Sequence, residues 1–381
     1  MAEYTLIATS SFGLESVVAY ELKKLGYSDL AVENGKVTFK GQERDIARCN
    51  LWLRSADRVL IKIAEFEARD FDELFEGTGR VGWPDFVPVD GKMHVTGKSI
   101  GSQLASVSDC QSIVKKSIVE AMKKRYRREW FEETGPVYKI EVSLLKNKAT
   151  LTVDTTGPGL HKRGYRNDTG QAPLRETLAA GLVLLSRWTP DRVLADPLCG
   201  SGTIAVEAAL IGRNLAPGLK RHFVSEAWGQ IPRKVWDAVR EEAREGTNDA
   251  DFRVLASDDD GSVIKKAREN AVRAGVADFV AFQKMPLADF RSHKKYGCII
   301  CNPPYGLRMG EEALVEDLYR SMGEMFRMLD SWSLFVLTAH PDFQKLFGKR
   351  ADRNRKLYNG DIKCYYYQYG GGSLPRKPLK P

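Results

Sequence analysis

Short apolar runs alternate with amphipathic stretches throughout the second half of the chain, and this alternation restricts the fold more than any other feature of the sequence. The runs predict buried strands, and the stretches between them predict helices. The predicted strands are 193–196, 253–257, 279–283, 297–301, 333–338, 356–358 and 362–369, and the predicted helices are 203–211, 261–274, 312–329 and 342–347. Such alternation gives an α/β fold with a mostly parallel seven-stranded sheet and helices on both faces.

The stretch Asn302-Pro303-Pro304-Tyr305 comes directly after the fourth predicted strand. Two prolines end the strand and hold the following backbone in an extended turn. Ligands bind at the carboxyl ends of strands in open α/β sheets. There the Asn302 side-chain oxygen and the Pro303 carbonyl could accept two hydrogen bonds from one amino group, and a base could stack on Tyr305. The structural alternative is a turn that ends a strand, capped by an Asn.

A second loop, Asp196–Thr203, follows the first strand of this pattern and leads into a helix. Its glycines, Gly200 and Gly202, permit a tight turn and a close approach of the backbone to a ligand. Together with Ala205 they also fit the dinucleotide fingerprint of dehydrogenases, and the spacing to the next acid does not decide between the two families. The Asn-Pro-Pro-Tyr stretch decides against a dehydrogenase, because hydride transfer has no use for two fixed acceptors.

These two loops resemble the first and fourth motifs of class I S-adenosylmethionine-dependent methyltransferases, which have a Rossmann-like fold. The Asn-Pro-Pro-Tyr form resembles the subgroup that methylates exocyclic amino groups of nucleobases. Residues 160–166 and 172–180 resemble the start of the catalytic domain in THUMP-containing RNA guanine-N2 methyltransferases, and the similarity is closest to the bacterial enzymes of 23S ribosomal RNA. Residues 102–106 and 110–116 resemble THUMP domains, which bind structured RNA. The resemblance covers nearly the whole chain.

The resemblance implies that S-adenosylmethionine is the cofactor, that S-adenosylhomocysteine is the product, and that N2 of guanine in RNA is the methyl acceptor. An acid after the second strand would bind the ribose, and Asp260 could instead cap the next helix. The implied catalytic residues are Asn302, Pro303, Pro304 and Tyr305. The implied cofactor-binding residues are Asp196, Leu198, Gly200, Ser201, Gly202, Thr203, Asp258, Asp259, Asp289 and Asn302.

The first half of the chain is predicted to form two smaller modules. Residues 1–66 follow a β-α-β-β-α-β order, with a hairpin at Asn34-Gly35, and this order indicates a ferredoxin-like module. Residues 67–155 are the expected THUMP domain, which includes a long helix over 109–133 with Trp130 near its apolar side. Residues 156–159 read as a hinge, and the methyltransferase domain is expected over 160–381. No role is predicted for the insertion at 213–250.

Basic residues concentrate at the end of the long helix and just after the hinge. The formal net charge of +8 and the pI near 9.0 suit an anionic partner. A solvated helix face, with cations favoured at the helix C-terminus, is the alternative. The residues expected to bind RNA are Lys115, Lys116, Lys123, Lys124, Arg127, Arg128, Arg163 and Arg166. Ribosomal RNA is the expected partner, with transfer RNA as the alternative.

Composition argues against several other classes of protein. The sequence has no run of 18 or more apolar residues, so a membrane span is not expected. The N-terminus lacks the pattern of a secretory signal. Six scattered cysteines indicate free thiols in a reducing cytoplasm. Cys298-x-x-Cys301 has no second close pair, so no metal site is expected. The alternatives left open are an adenine-N6 methyltransferase and an RNA-binding assembly factor with a vestigial cofactor site.

Overall fold

The protein is described by a computed structural model that covers residues 3–166, 174–306 and 312–372. It divides into two compact units, which we call the first and second unit. The first unit comprises Met1–Ser10, Ala19–Leu160 and Arg221–Glu242. The second unit comprises Ser11–Val18, His161–Lys220 and Ala243–Pro381. Each unit therefore contains segments that are distant in sequence, which the predicted contiguous domains did not include.

The helices and strands are numbered along the chain. Up to residue 160 they are β1 (Tyr4–Thr9), α1 (Glu15–Lys24), β2 (Ala31–Glu33), β3 (Lys36–Gly41), α2 (Glu43–Trp52), β4 (Arg58–Glu67), α3 (Phe71–Gly79), α4 (Trp83–Phe86), β5 (Lys92–Ile100), α5 (Val107–Tyr126), β6 (Val137–Leu145) and β7 (Lys148–Asp154). After it they are α6 (Glu176–Leu185), β8 (Leu194–Asp196), α7 (Thr203–Gly212), α8 (Arg233–Glu245), β9 (Val254–Asp258), α9 (Gly261–Ala274), β10 (Val280–Lys284), β11 (Cys298–Cys301), α10 (Glu312–Arg327), β12 (Ser333–Thr338), α11 (Phe343–Phe347), β13 (Arg353–Asn359) and β14 (Ile362–Tyr369). No described helix is both long and apolar enough to cross a bilayer.

A single sheet runs through the first unit, with strand order β2-β3-β1-β4-β7-β6-β5. Strand β4 of the ferredoxin-like region pairs antiparallel with β7 of the THUMP region, so the two regions share one sheet. The hairpin predicted at Asn34-Gly35 is present, because Glu33 is paired with Lys36 across a two-residue turn. Strand patterns along the sequence do not reveal such a join between two modules.

The long helix α5 is shorter than the sequence pattern predicts. It ends at Tyr126, and Arg127 adopts a left-handed conformation with φ of 52°. Its last turn carries Lys123, Lys124 and Arg125, which the negative end of the helix dipole favours. The prediction that the helix continues to residue 133 is therefore wrong. Trp130, expected near the apolar side of that helix, lies beyond it with 79% of its surface exposed.

The predicted hinge and part of the insertion are held within the first unit. The Arg58 guanidinium donates a hydrogen bond to the Gly157 carbonyl, and Arg221 donates to the Gly159 carbonyl at 2.9 Å. Within the insertion, the Trp228 ring stacks on Tyr138 with their centroids 4.8 Å apart. These contacts explain why Arg221–Glu242 belongs to the first unit, although the sequence suggested no role for this segment.

The sheet of the second unit has the order β10-β9-β8-β11-β12-β14-β13. The first five strands in this order are parallel to one another, and β14 is antiparallel to both of its neighbours. The turn that joins the last two strands pairs Asn359 with Ile362, so its two central residues are Gly360 and Asp361. Two apolar clusters cover the two faces of the sheet. The predicted mostly parallel seven-stranded sheet is confirmed.

The start of α1 is part of the second unit. Arg355 of β13 donates hydrogen bonds to the Gly13 carbonyl at 2.7 Å and to Ser16 Oγ at 2.8 Å. Leu14 and Val17 are buried in one of the two apolar clusters of this unit. The segment Ser11–Val18 therefore lies at β13, the edge strand of this sheet, and edge strands need cover.

Candidate active site

Three polar residues lie at the carboxyl ends of neighbouring parallel strands in the second unit. Asp196 is the last residue of β8, Asp258 is the last residue of β9, and Asn302 directly follows β11. Because parallel strands end at the same edge of a sheet, this register brings the two predicted loops together. A cavity of about 240 Å³ lies between them, lined by Leu174, Asp196, Leu198, Cys199, Gly200, Ser201, Thr203, Ile204 and Asn302.

The loop between β8 and α7 depends on its glycines. Gly200 and Gly202 have φ of 50° and 78°, a region that disfavours other residues. A Cβ atom on Gly202 would also lie 2.9 Å from the Cβ of Ala267. The Asn270 side chain donates a hydrogen bond to the Ser201 carbonyl at 2.9 Å and so holds the loop from helix α9. The sequence pattern gave no sign of this role for Asn270.

Two acidic side chains next to this loop are partly or fully withdrawn from water. Burial raises the pKa of Asp196 well above its usual value, and the nearby Asp258 carboxylate adds to the increase. Burial also raises the pKa of Asp258. Two desolvated carboxyl groups favour a ligand that carries positive charge. S-adenosylmethionine carries a sulfonium and an amino group, so the charge of the site and the shape of its glycine loop fit this cofactor.

The structure distinguishes among the three consecutive acids after β9. Asp258 accepts hydrogen bonds from the backbone N–H of Gly200 at 2.9 Å and from that of Asp260 at 3.2 Å. Asp260 caps α9, because its carboxylate accepts a hydrogen bond from the Ser262 N–H at 2.7 Å. Asp259 is exposed. Asp258 is therefore the acid tied directly to the glycine loop, and we propose it for the ribose.

Asp289 is separate from the residues that line this cavity. It is the last residue of a 3-10 turn over Leu287–Asp289 and is exposed, whereas Phe290 beside it is buried. Its expected role in cofactor binding stays a prediction, since the cavity residues do not include it.

The Asn302 side chain is hydrogen-bonded to the tyrosine of its own motif. Tyr305 Oη donates to Asn302 Oδ1 at 2.6 Å, and Asn359 Nδ2 donates to Tyr305 Oη at 3.4 Å. Burial raises the pKa of Tyr305 above its usual value, so its hydroxyl keeps the proton that it donates. The ring is half-buried against an apolar cluster. The Tyr305 hydroxyl therefore occupies one of the two lone pairs of Asn302 Oδ1, and the other can accept a hydrogen bond from a substrate amino group.

Side chains that the motif does not contain support the backbone of the Asn302 loop. Tyr319 Oη donates to the Pro304 carbonyl at 2.7 Å and is 2.8 Å from Thr338 Oγ1. Arg192 donates to the Tyr296 carbonyl at 2.7 Å and so holds the other end of β11, before the strand begins. The sequence analysis missed both residues, since Tyr319 reads only as one apolar position of a predicted helix.

Two arginines expected to bind RNA are instead part of the packing of the second unit. The side chains of Arg163 and Glu207 are 2% and 0% exposed, and they form an ion pair at 3.4 Å. Arg166 pairs with Glu176 at 3.5 Å, and both side chains are nearly buried. A phosphate group cannot reach a guanidinium that is buried and paired in this way. We therefore do not propose Arg163 and Arg166 as RNA contacts.

The basic residues of α5 differ in how far they are neutralised. Lys115 pairs with Glu133 at 2.7 Å, and Lys123 lies between Glu120 and Glu129 at 3.2 and 3.0 Å. Within the described parts of the chain no ion pair involves Lys116, Lys124, Arg127 or Arg128, and all four are exposed. The Lys116 ammonium lies over the Phe75 ring, 5.9 Å from its centroid. We call Lys124, Arg127 and Arg128 the basic cluster. Trp130 is exposed close to it in sequence.

The two cysteines of the Cys298-x-x-Cys301 pattern are buried core residues of β11. Burial raises the pKa of the Cys298 thiol to about 12. Among the residues that the structure describes, no group of three or more His, Cys, Asp and Glu is placed to hold a metal ion.

Comparison with protein families assigns a family to each region of the chain. Residues 163–368 match an RMKL-like methyltransferase domain. The chain belongs to this methyltransferase family. Residues 5–60 match the RlmL ferredoxin-like domain, and residues 68–154 match the THUMP domain. The resemblance seen in the sequence motifs is thereby confirmed for all three regions.

Bacterial members of this methyltransferase family are similar over nearly the whole length of the chain. The protein of Bacillus subtilis (strain 168) named "Putative RNA methyltransferase YpsC" is 51% identical over 99% of this chain and 98% of its own length. The "Ribosomal RNA large subunit methyltransferase K/L" of Syntrophotalea carbinolica is 34% identical over 99% of this chain and 56% of its own length. The chain thus spans about half the length of this K/L relative.

Solved structures share the complete fold. A protein of Listeria monocytogenes described as a "predicted N6-adenine-specific DNA methylase" is 49% identical with a TM-score of 0.94, and the match covers 98% of this chain and 97% of that one. The methyltransferase SMU.472, solved in complex with SAH, is 44% identical with a TM-score of 0.94 and covers 98% of this chain and 100% of that one. The prediction of an S-adenosylmethionine-dependent methyltransferase is confirmed.

Proposed function

We propose that this methyltransferase transfers a methyl group from S-adenosylmethionine to N2 of a guanine in large-subunit ribosomal RNA. The observation that carries the proposal is the single cavity shared by the Asp196–Thr203 loop and Asn302. The loop is suited to the cofactor, and Asn302 offers the acceptor that an exocyclic amino group needs. Family members named as RNA or ribosomal RNA methyltransferases support RNA as the substrate.

The geometry of the Asn302 loop suggests how a poor nucleophile is activated. The lone pair of an exocyclic amine is delocalised into the ring, so the amine has to be oriented and its developing positive charge stabilised. The Asn302 side-chain oxygen and the Pro303 carbonyl can accept hydrogen bonds from the two N–H groups of the amine. These hydrogen bonds direct the lone pair of the amine toward the methyl group. S-adenosylmethionine supplies an electrophilic methyl group. The methylated nitrogen becomes acidic, so no strong base is needed beside it.

The target base has to reach this cavity from the stacked interior of an RNA. Extruding a base costs a few kcal/mol, which contacts in the pocket must offset. Asn302 Oδ1 can keep the hydrogen bond from the Tyr305 hydroxyl and still accept one from the base. The two acceptors, Asn302 Oδ1 and the Pro303 carbonyl, favour bases with an exocyclic amine, because such an amine offers two N–H groups.

Adenine is the second candidate, because its N6 amine could use the same two acceptors and one solved relative is described as adenine-specific. Methylation of unmodified 23S ribosomal RNA with labelled S-adenosylmethionine, followed by mass analysis of the nucleosides, separates the two. We expect N2-methylguanosine. Formation of N6-methyladenosine would show that the target base is adenine. If no methylated nucleoside formed while the cofactor still bound, 23S ribosomal RNA would be excluded as the substrate.

The basic cluster of the first unit is proposed to contact RNA phosphates. Changing Lys124, Arg127 and Arg128 together to Ala should weaken RNA binding and lower the salt slope by about one unit for each phosphate that is no longer neutralised. Lys123→Ala is the matched control on the same helix, since Lys123 already lies between two glutamates. Binding is measured at several salt concentrations. An equal effect of Lys123→Ala would show that the exposed cations have no special role.

A further inference from the structure

An aromatic pair, one ring exposed and the other half-buried, lies at the end of strand β13 in the second unit. Phe12 precedes α1 and leaves 56% of its surface in water. Its ring meets Tyr358 edge to face, with centroids 6.1 Å apart. Lys356, two residues earlier on the same face of the strand, holds its ammonium group 5.4 Å from the Tyr358 ring centre. We call Phe12, Lys356 and Tyr358 the β13 surface.

The β13 surface lies at the edge of the sheet that holds the catalytic loop. Strand β13 is antiparallel to β14, and β14 is antiparallel to β12, so β13 and β12 end at the same edge. Asn359, the residue after Tyr358, donates its hydrogen bond to Tyr305, which in turn contacts Asn302. The end of β13 is therefore two hydrogen bonds away from the proposed acceptor of the target base.

Phe12 is held in place by its neighbours. The Gly13 carbonyl accepts the Arg355 hydrogen bond, and a Cβ atom on Gly13 would lie 2.4 Å from the Lys356 carbonyl oxygen. Gly13 also has φ of 93°, so glycine is needed there on two grounds. Leu14 is fully buried. Phe12 thus keeps a large apolar surface exposed on a backbone that is fixed on its C-terminal side.

We propose that the β13 surface binds an unpaired nucleotide adjacent to the target base of the RNA, an inference that rests on the proposed function. Extrusion of the target base removes a stacking partner from its neighbour in the strand. An exposed ring can replace that partner for any base, because every base has a π face. Lys356 supplies a positive charge for the phosphate that joins the two nucleotides. Positive charge together with exposed rings is typical of surfaces that bind single-stranded RNA.

The test compares Phe12→Ala with the matched control Phe71→Ala, which removes a 37% exposed phenylalanine from the first unit. The probe is unmodified 23S ribosomal RNA transcribed in vitro, and both its Kd and its KM and kcat as substrate are measured. Phe12→Ala should raise Kd and KM for RNA by roughly tenfold, in line with the loss of one stacked base. Its kcat and its affinity for S-adenosylhomocysteine should match those of the wild type. Phe12→Tyr, which keeps a ring, should restore RNA affinity.

The outcomes separate this inference from the proposed function. If the wild type methylates RNA and Phe12→Ala binds RNA as well as Phe71→Ala does, the inference is overturned. If the wild type binds the RNA without methylating it, the proposed function fails, and the Kd values alone still decide the inference. Loss of RNA affinity accompanied by loss of S-adenosylhomocysteine binding in Phe12→Ala, with no rescue by Phe12→Tyr, would assign Phe12 to packing and overturn the inference as well.

Discussion

Replacing Asn302 with Ala should lower kcat by about 100- to 1,000-fold, which corresponds to roughly 2.7–4 kcal/mol of transition-state stabilisation, by analogy with removal of one oxyanion-hole donor. The side-chain oxygen is proposed to accept a hydrogen bond that strengthens as charge develops on the nitrogen. Its loss should therefore affect the chemical step more than binding. Single-turnover rates with saturating RNA and S-adenosylmethionine measure the effect, and RNA affinity should change little.

Tyr305→Phe is the matched control for this prediction. It removes the hydroxyl that donates to Asn302 but leaves the acceptor and the ring in place. Because Asn302 Oδ1 can still accept a hydrogen bond from the substrate, removal of the hydroxyl should not reproduce the loss seen in Asn302→Ala. An Asn302→Ala protein with a near wild-type single-turnover rate would remove Asn302 from the mechanism. Equal losses in both variants would point to loop geometry instead of the acceptor.

Changing Arg163 to Met should destabilise the protein by about 3–5 kcal/mol, the usual cost of removing one partner of a buried ion pair. Glu207 would keep a carboxylate in a fully buried position, with the Tyr165 hydroxyl 3.0 Å from one of its oxygens. A shift of the urea midpoint of the unfolding transition, followed with and without S-adenosylhomocysteine, measures the effect. RNA affinity of the folded variant should equal that of the wild type.

The double variant Arg163→Met, Glu207→Gln is the control for the charge. It removes both charges, and the amide introduced in place of the Glu207 carboxylate would still offer an oxygen to the Tyr165 hydroxyl. Much of the lost stability should return, because replacing a whole buried ion pair is often close to neutral. If the double variant were as unstable as Arg163→Met alone, the cost would lie in packing. If Arg163→Met weakened RNA binding in a stable protein, Arg163 would be an RNA contact after all.

The sequence predicted the parts of the site that depend on strand ends. Asp196, Asp258 and Asn302 each follow an apolar run, and the topology of a parallel sheet places such residues at one edge. Gly200 and Gly202 could be recognised in the sequence, because a tight loop whose backbone has positive φ angles needs glycine at those positions. These features are local, so their spacing along the chain carries enough information.

The remaining parts depend on contacts between residues far apart in sequence. The hydrogen bond from Asn359 to Tyr305 and that from Asn270 to Ser201 could not be read from any pattern. The burial of Arg163 could not be predicted from the sequence either. An arginine in a glycine-containing segment suggests surface charge until its partner Glu207 is known. Periodicity also extended α5 too far, because Trp130 fits the apolar pattern of the helix but lies outside it.

The inclusion of Ser11–Val18 in the second unit has a consequence for biosynthesis. The hydrogen bond between Arg355 and the Gly13 carbonyl joins residues that are 342 positions apart. At about 5–20 residues per second, the ribosome needs roughly 20–70 s to travel between them. Throughout this time Leu14 has been synthesised, but β13, the strand beside which it is buried in the finished protein, has not. The second unit therefore cannot complete its core during translation until nearly the whole chain has been made.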